Sequence, residues 1–371
     1  MDFNELEDWR KTIRQFAEKE VMPRAKEVDE KEEFPAETIK LMGSLGYMGI
    51  PISKEHGGLG LDYLHYAIAV EEISRACGST GLVMAAHTSL VVSAFELFGN
   101  PGQKKRYLAP LAKGEIVGAF GLTEPEAGSD AGSTKTKAVP SNNGYVINGT
   151  KCFITSAEVA AVAIVTAKTD AGISSFILEK GTKGFSYGKK EKKLGVRGSI
   201  TGELVFQDCW LPKENLLGKE GEGFKQFLKI LDGGRISIGA MAVGIAQGAL
   251  DRAISYSKTR VQFGKPIAEF QAIQFMLAQM ATKTEAARQL LHHAARLKDS
   301  GKRYTREAAM AKGFASEVAM AVTIDAIQIH GGYGYMKEYE VERMFRDAKL
   351  TEIGEGTTQI QLLVIARDLL R

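Results

Sequence analysis

Residues 143–155 read NGYVINGTKCFIT, and this stretch decides the architecture. It is rich in Val, Ile, Phe and Thr, and it is punctuated by Asn143-Gly144 and Asn148-Gly149. Both residue types tolerate positive φ, so the two pairs read as tight turns. Tyr145–Ile147 and Cys152–Thr155 then read as short strands. Similar runs lie on either side, at Gly118–Leu122, Val162–Ala167, Ser175–Leu178 and Glu203–Gln207. Residues 118–222 are therefore expected to form a small antiparallel β-domain, a barrel or a sandwich.

Outside this zone the period becomes helical. In residues 1–117, Phe3 to Glu20 is amphipathic. Gly60 to Cys77 carries Leu64, Ile68, Glu71 and Glu72 at helical offsets, and Val83 to Phe98 is apolar enough to be buried on most sides. In residues 223–371 three long helices are expected. Ile236 to Arg260 carries Ile238, Met241, Ile245 and Ile254. Phe270 to Lys298 carries Ile273, Leu277, Met280, Leu290, Leu291 and Leu297. Thr305 to Ile329 carries a stripe of Met310, Phe314, Val318, Val322 and Ile329. Such helices pack as a bundle of about four. The fold class is mainly α with a central β-domain: an N-terminal helical domain, a middle antiparallel β-domain and a C-terminal four-helix bundle.

The 371 residues are 44% apolar and 25% charged, as in globular proteins. Lys plus Arg is 48 against 45 for Asp plus Glu, a net charge of +3, too balanced for nucleic acid as the main partner. The cluster Lys189, Lys190, Lys192 and Lys193 reads as a solvated turn. No apolar run reaches the ~18 residues of a membrane span, so no membrane insertion is expected. The N-terminus lacks the apolar core of a secretory signal. A cytoplasmic protein is the default, with the mitochondrial matrix for a processed organellar chain. Cys77, Cys152 and Cys209 are too sparse for a disulfide framework or a zinc site, and the adjacent His292 and His293 point about 100° apart on a helix. No metal is expected.

Four motifs could carry chemistry, each with a plain structural reading beside it. GLTEPEAGSD (121–130) ends a strand and is either a polar turn or a backbone surface open to a ligand at Gly128. RVQFGKPIAEFQ (260–271) breaks two helices. Arg260 suits a diphosphate and Phe263 a flat ring, or the segment is a helical corner in which Arg260 caps carbonyls. QIHGGYGY (328–335) is either a C-cap with Gly331 left-handed, or a glycine surface for a ligand. EIGEGTTQIQ (352–361) places Glu355 between two glycines before a helix. Either Thr357 caps that helix and Glu355 is a surface acid, or Glu355 is a carboxylate aimed into a pocket, as a general base must be. No Rossmann fingerprint accompanies them.

In this order, and together with KCFITSA (151–157) and LDGGRISIGA (231–240), these segments resemble the acyl-CoA dehydrogenase family over the whole chain. The resemblance is nearest to short-chain, butyryl-CoA-like bacterial members. It implies FAD in a composite site of a homotetramer. Leu122, Thr123 and Ser129 would contact the flavin or the neighbouring substrate, and Phe153 and Thr155 would line the ring, where many relatives carry Trp in place of Phe153. Thr357 and Gln359 would hold the phosphate and adenosine side. Arg260, Gln262, Phe263, Gln328 and Gly332 would reach FAD across a subunit interface.

The implied reaction is α,β-desaturation of an acyl-CoA. Glu355 would remove the α-proton, a hydride would pass from the β-carbon to flavin N5, and an electron-transferring flavoprotein would take the electrons. Asp232 and Arg235 would contact CoA, their alternative being an i,i+3 ion pair. Ser129, Gly354 and Gly356 complete the expected substrate contacts. Some relatives carry the base at the position filled here by Gly234. Most relatives with the base at 355 precede it with Tyr, which is Gly354 here, and this leaves room for a short branched or cyclic acyl group. The position of the glutaryl-binding Arg is Gly81, which disfavours dicarboxylates. The alternatives are an acyl-CoA oxidase or non-redox lyase on the same scaffold, and a non-enzymatic acyl-CoA or flavin-binding protein.

Overall fold

A computed structural model describes residues 3–370. Residues 1 and 2 of the expected N-terminal domain, and residue 371 of the C-terminal one, lie outside the described residues. The N-terminal zone holds helices α1 (Phe3–Phe16), α2 (Ala25–Lys31), α3 (Ala36–Ser44), α4 (Tyr63–Ala76), α5 (Gly78–Ala85), α6 (Ser93–Phe98), α7 (Pro101–Gln103) and α8 (Ala109–Ala112). A π-helical stretch, Ala86–Val92, joins α5 to α6 into one rod. Contrary to the sequence expectation, this rod (Gly78–Phe98) is long and apolar enough to cross a bilayer by length and composition. Its most apolar window is 83% buried inside the fold, so those side chains serve the core.

Strands β1 (Gly118–Gly121), β2 (Lys137–Ser141), β3 (Gly144–Thr155), β4 (Val162–Thr169), β5 (Gly172–Glu179), β6 (Phe185–Lys190), β7 (Thr201–Pro212) and β8 (Leu216–Leu217) form one sheet. Its order is β6-β7-β3-β2-β4-β5-β8, with β1 also on β4. Pairing is antiparallel except that β4 takes β1 and the end of β2 in parallel, which corrects the all-antiparallel expectation. Parallel neighbours need a long crossover, and the β2–β3 hairpin between β1 and β4 supplies it. The sheet has its own core, with Ile147, Ile154, Val165, Phe176 and Leu204.

The opening stretch is one strand, not two. The left-handed residues of its first turn are Asn142 (φ 44°) and Asn143 (φ 58°), so that turn sits one residue earlier than expected. Asn148-Gly149 is no turn. It is a register shift against β7, with the Asn148 amide tied to Asp208. A second shift, between Lys151 and Ile154, throws Phe153 into a left-handed conformation (φ 58°) and out of the sheet, 65% exposed. That is how a β-bulge re-aims a side chain. Of the lysine cluster, Lys189 and Lys190 end β6 rather than a turn.

The C-terminal zone holds α9 (Gly223–Thr259), α10 (Gln271–Asp299), α11 (Thr305–His330), α12 (Val341–Thr351) and α13 (Thr358–Leu369). The corner at RVQFGKP is a small hairpin, β9 (Val261–Gln262) with β10 (Lys265–Pro266), turned by Phe263 (φ 53°) and Gly264 (φ 77°). Helix α9 packs against α4, α10, α11 and α12. The expected stripe of α11 is partly wrong: Phe314 is exposed and Met310 half-buried, while Ala308, Ala311, Ala315, Ala319 and Ala326 face the core with Val318, Val322 and Ile329. Small residues let α9 and α11 approach. The contact of α4 with α9 is closer still. A Cβ built on Gly244 would stand 2.2 Å from the Glu71 carbonyl oxygen.

Candidate active site

Glu355 lies in the loop between α12 and α13. It adopts φ 53°, followed by Gly356 at φ 97°. A left-handed non-glycine residue costs roughly 1–2 kcal/mol, and the loop is tied accordingly. The Gly354 amide donates to Leu350 O (2.8 Å) and the Thr358 amide to Glu352 O (2.9 Å). Gln361 Nε2 and Lys312 Nζ both donate to Gly356 O, at 2.8 and 2.7 Å. The turn sends the carboxyl inward. A Cβ built on Gly234 of α9 would be 2.0 Å from Glu355 Oε2 and 2.9 Å from Leu90 Cδ2. The two positions that the sequence names for a base thus share one spot, and the missing side chain at 234 makes room for the carboxylate.

The Glu355 residue as a whole is half-buried, but its Oε2 is out of contact with water and has no hydrogen-bond partner. Burial pushes the carboxyl up to about 7, opposed by Lys312 and Arg235. This is no surface acid. Arg235 is buried and pairs with Asp232, so the plain i,i+3 reading is present. Asp232 also accepts from Thr305 Oγ1 (2.6 Å), and Arg235 Nε remains buried without a partner. The nearest atoms to a Cβ built on Gly354 belong to Leu350, 3.4–3.7 Å away, so a side chain there is absent rather than excluded.

The β-domain residues gather at the end of β1 and the bulge of β3. The Cys152 amide donates to Thr123 O (2.9 Å) and ties the two together. Beneath them Lys151, fully buried, donates to Leu122 O (3.1 Å), Glu124 Oε1 (2.7 Å) and Thr166 Oγ1 (2.8 Å). Glu124 Oε2 accepts from the Lys135 amide at 2.6 Å, so the ion pair also fixes the far end of the GLTEPEAGSD loop. Leu122 packs in the same apolar cluster as Leu90 and so joins this group to the Glu355 pocket. Thr155 is half-buried and pairs with Thr201, while Ser129 is exposed.

Arg260, Gln262 and Gly332 meet elsewhere. With Tyr256, His330 and Tyr333 they line a groove of about 480 Å³. The Arg260 guanidinium lies 5.1 Å from the centre of the Tyr333 ring. Phe263 stands beside it, 93% exposed, and Gln328 is exposed two residues before the end of α11. Gly331 does end α11 at positive φ, but at φ 59°, ψ −137° it is not the left-handed helical cap that was expected. Arg260 follows Arg235 by 25 residues along α9, about 37 Å. On one chain this groove and the Glu355 pocket are far apart.

These features fit FAD. The outward Phe153 and half-buried Thr155 suit a flat ring. Thr357 caps α13, its hydroxyl accepting from the Ile360 amide (3.3 Å), with Gln359 exposed in the first turn. A helix N-terminus of this kind suits a phosphate, as does Arg260 in its groove. Sequence reasoning missed Lys312, the roles of Lys151 and Leu90, and the aromatic lining of the groove. Lys312 had a signal: it is a lysine at a core position of the Ala-rich helix.

Three family models match the chain: the N-terminal domain of acyl-CoA dehydrogenase over residues 4–115, the middle domain over 119–209 and the C-terminal domain over 221–370. The chain is 54% identical to the short-chain specific acyl-CoA dehydrogenase of Clostridium acetobutylicum, with 100% of both chains covered. Among solved structures it is similar to a chain from a study of the electron transferring flavoprotein of Acidaminococcus fermentans (TM-score 0.98, 52% identity, 100% of both chains). It is also similar to butyryl-CoA dehydrogenase from Megasphaera elsdenii (TM-score 0.97, 47% identity, 100% of both). A glutaryl-CoA dehydrogenase from Mycobacterium smegmatis, solved with FADH2, matches at TM-score 0.95 and 30% identity, covering 100% of this chain and 95% of that one. The chain belongs to the acyl-CoA dehydrogenase family of FAD-dependent oxidoreductases.

Proposed function

We propose that this enzyme converts a short-chain acyl-CoA thioester to the enoyl-CoA, with Glu355 as the base for the α-proton. One observation carries the reading: a carboxylate oxygen held out of water, without a partner, in the space left by Gly234. Burial that raises the carboxyl to about 7 makes it a stronger proton acceptor than an exposed glutamate, yet leaves it substantially ionised at neutral pH. FAD, when bound, supplies the hydride acceptor.

The other residues bind and orient. Leu122, Thr123, Phe153 and Thr155 would hold the flavin ring, on a loop locked by Lys151 and Glu124. Thr357 and Gln359 would take the phosphate side. Asp232, Arg235 and Ser129 would take the CoA portion, and Gly356 would leave backbone exposed to the thioester. Gly354 leaves room for a branched or cyclic short acyl group. A Cβ at Gly81 would fall 1.9 Å from Ser74 Oγ, so no arginine fits there, which supports a monocarboxylic substrate.

Arg260, Gln262, Phe263, Gln328 and Gly332 would complete the site of a second copy of the chain. Exposed Phe275, Ile324, Leu362 and Leu363 on α10, α11 and α13 support such an assembly, a homotetramer by the resemblance. An electron-transferring flavoprotein would take the electrons, a reading supported by the study that yielded the Acidaminococcus structure.

The test is Glu355→Gln against linear, branched and cyclic short acyl-CoAs. The variant should retain yellow FAD and show no bleaching with any substrate that bleaches the wild type. Reduction of its flavin at the wild-type rate would remove Glu355 from the role of base.

A further inference from the structure

Lys312 sits on α11 with no exposure to solvent, and its backbone packs on α9, 3.6 Å from where a Cβ of Gly239 would lie. Burying an ammonium is costly unless its charge is compensated. Its hydrogen bond does not explain it. The acceptor, Gly356 O, already receives Gln361 Nε2 at 2.8 Å, and a neutral donor serves a carbonyl as well. What a lysine adds at this point is a positive charge, one residue from a carboxylate oxygen that has no partner of its own.

We propose that Lys312 is a positioning residue for Glu355: anchored on the Gly356 carbonyl, its ammonium holds the left-handed turn and keeps the neighbouring carboxylate ionised in a site closed to water. The proposal rests on Glu355 being the base. The groups facing Glu355 are Lys312 from α11, Arg235 from α9, and Tyr63 and Tyr66 from α4, while Glu352, just past the end of α12, faces Lys312. Arg235 is engaged by Asp232, which leaves Lys312 as the cation whose charge is not cancelled by an ion pair among the described residues. Burial draws the lysine down to about 8, so it still carries its proton at neutral pH. With its charge removed, the carboxyl holds its proton to higher pH, and the base is idle where it should act.

The experiment follows flavin reduction by butyryl-CoA anaerobically in FAD-loaded enzyme across about pH 6–9. Lys312→Met and Lys312→Gln, the second keeping a donor but no charge, should move the acid limb of the rate profile upward by about one unit or more, with the rate recovering at alkaline pH. Lys312→Arg should restore the wild-type limb. Gln361→Leu removes the other donor to Gly356 O without touching charge and should leave the limb in place. A folded, FAD-containing K312M or K312Q enzyme with the wild-type limb overturns the proposal. E355Q separates the two claims. If it still reduces its flavin, Glu355 is not the base and both fall; if it is inert while K312Q keeps the wild-type limb, only the role of Lys312 falls.

Discussion

Gly234 decides where the Glu355 carboxylate can stand. A single methyl there would occupy the place of Oε2, and the carboxylate, at the end of a flexible side chain, can swing away at little cost to the fold. Gly234→Ala should therefore leave thermal stability near wild type and slow flavin reduction by on the order of 10²-fold, the penalty of a displaced reacting group. Stopped-flow reduction and a thermal melt check both halves. The same burial makes Glu355 a liability for stability. Its folded value, about 7, lies above the ordinary 4.5. Its contribution is fully present below about 4.5 and is lost as pH rises to 7, because the unfolded chain ionises first. Glu355→Gln escapes this loss, roughly 3 kcal/mol at most, offset in part because Lys312 loses its counter-charge. Melts of the two proteins should diverge in favour of the variant between pH 5 and 7 and run parallel above. The glycine-flanked setting left Glu355 either a surface acid or an aimed carboxylate, and only the family resemblance offered it as the base. Lys312 was not singled out, because a helix stripe was read from large apolar residues, and the core of α11 is built from alanines.

At the scale of elements, the α4–α9 contact is set by backbone against backbone. Gly244 meets Glu71 O, and Gly248 meets Arg75 O, where a Cβ would stand 2.5 Å away. Neither partner is a side chain that can turn aside. Gly244→Ala should cost about 1–3 kcal/mol, read as a lower urea midpoint with unchanged slope. Helices α10 and α11 were legible to within a residue, since their period repeats many times, but α9 begins at Gly223, thirteen residues before the expected Ile236. Strands were legible where they are buried. β2 and β6 escaped notice because both are mostly exposed, and β2 also contains Pro140. The second Asn-Gly pair was misread as a turn because Gly149, at φ 148°, serves a bulge in a continuing strand. No pattern in the sequence separates the two uses of the same dipeptide.

For the whole molecule, the order helices, strands, helices was plain from the change of period. The division of the site between chains came only from the family resemblance, because periodicity does not say how far apart one helix carries its two ends. Helix α9 holds Gly234 and Arg235 near its start and leads into Arg260 at its end, about 37 Å from Arg235. On the proposed reading, each chain offers one half of a cofactor site at either end and completes neither alone. The consequence is genetic. Two alleles, one carrying Glu355→Gln and the other Arg260→Ala, would each encode an inactive protein if expressed alone. Expressed together, they should assemble mixed oligomers in which one Arg260-altered chain lends its intact Glu355 to a site completed by the intact Arg260 of its neighbour. Activity should then reappear from two dead genes, at up to about a quarter of the wild-type level for random pairing.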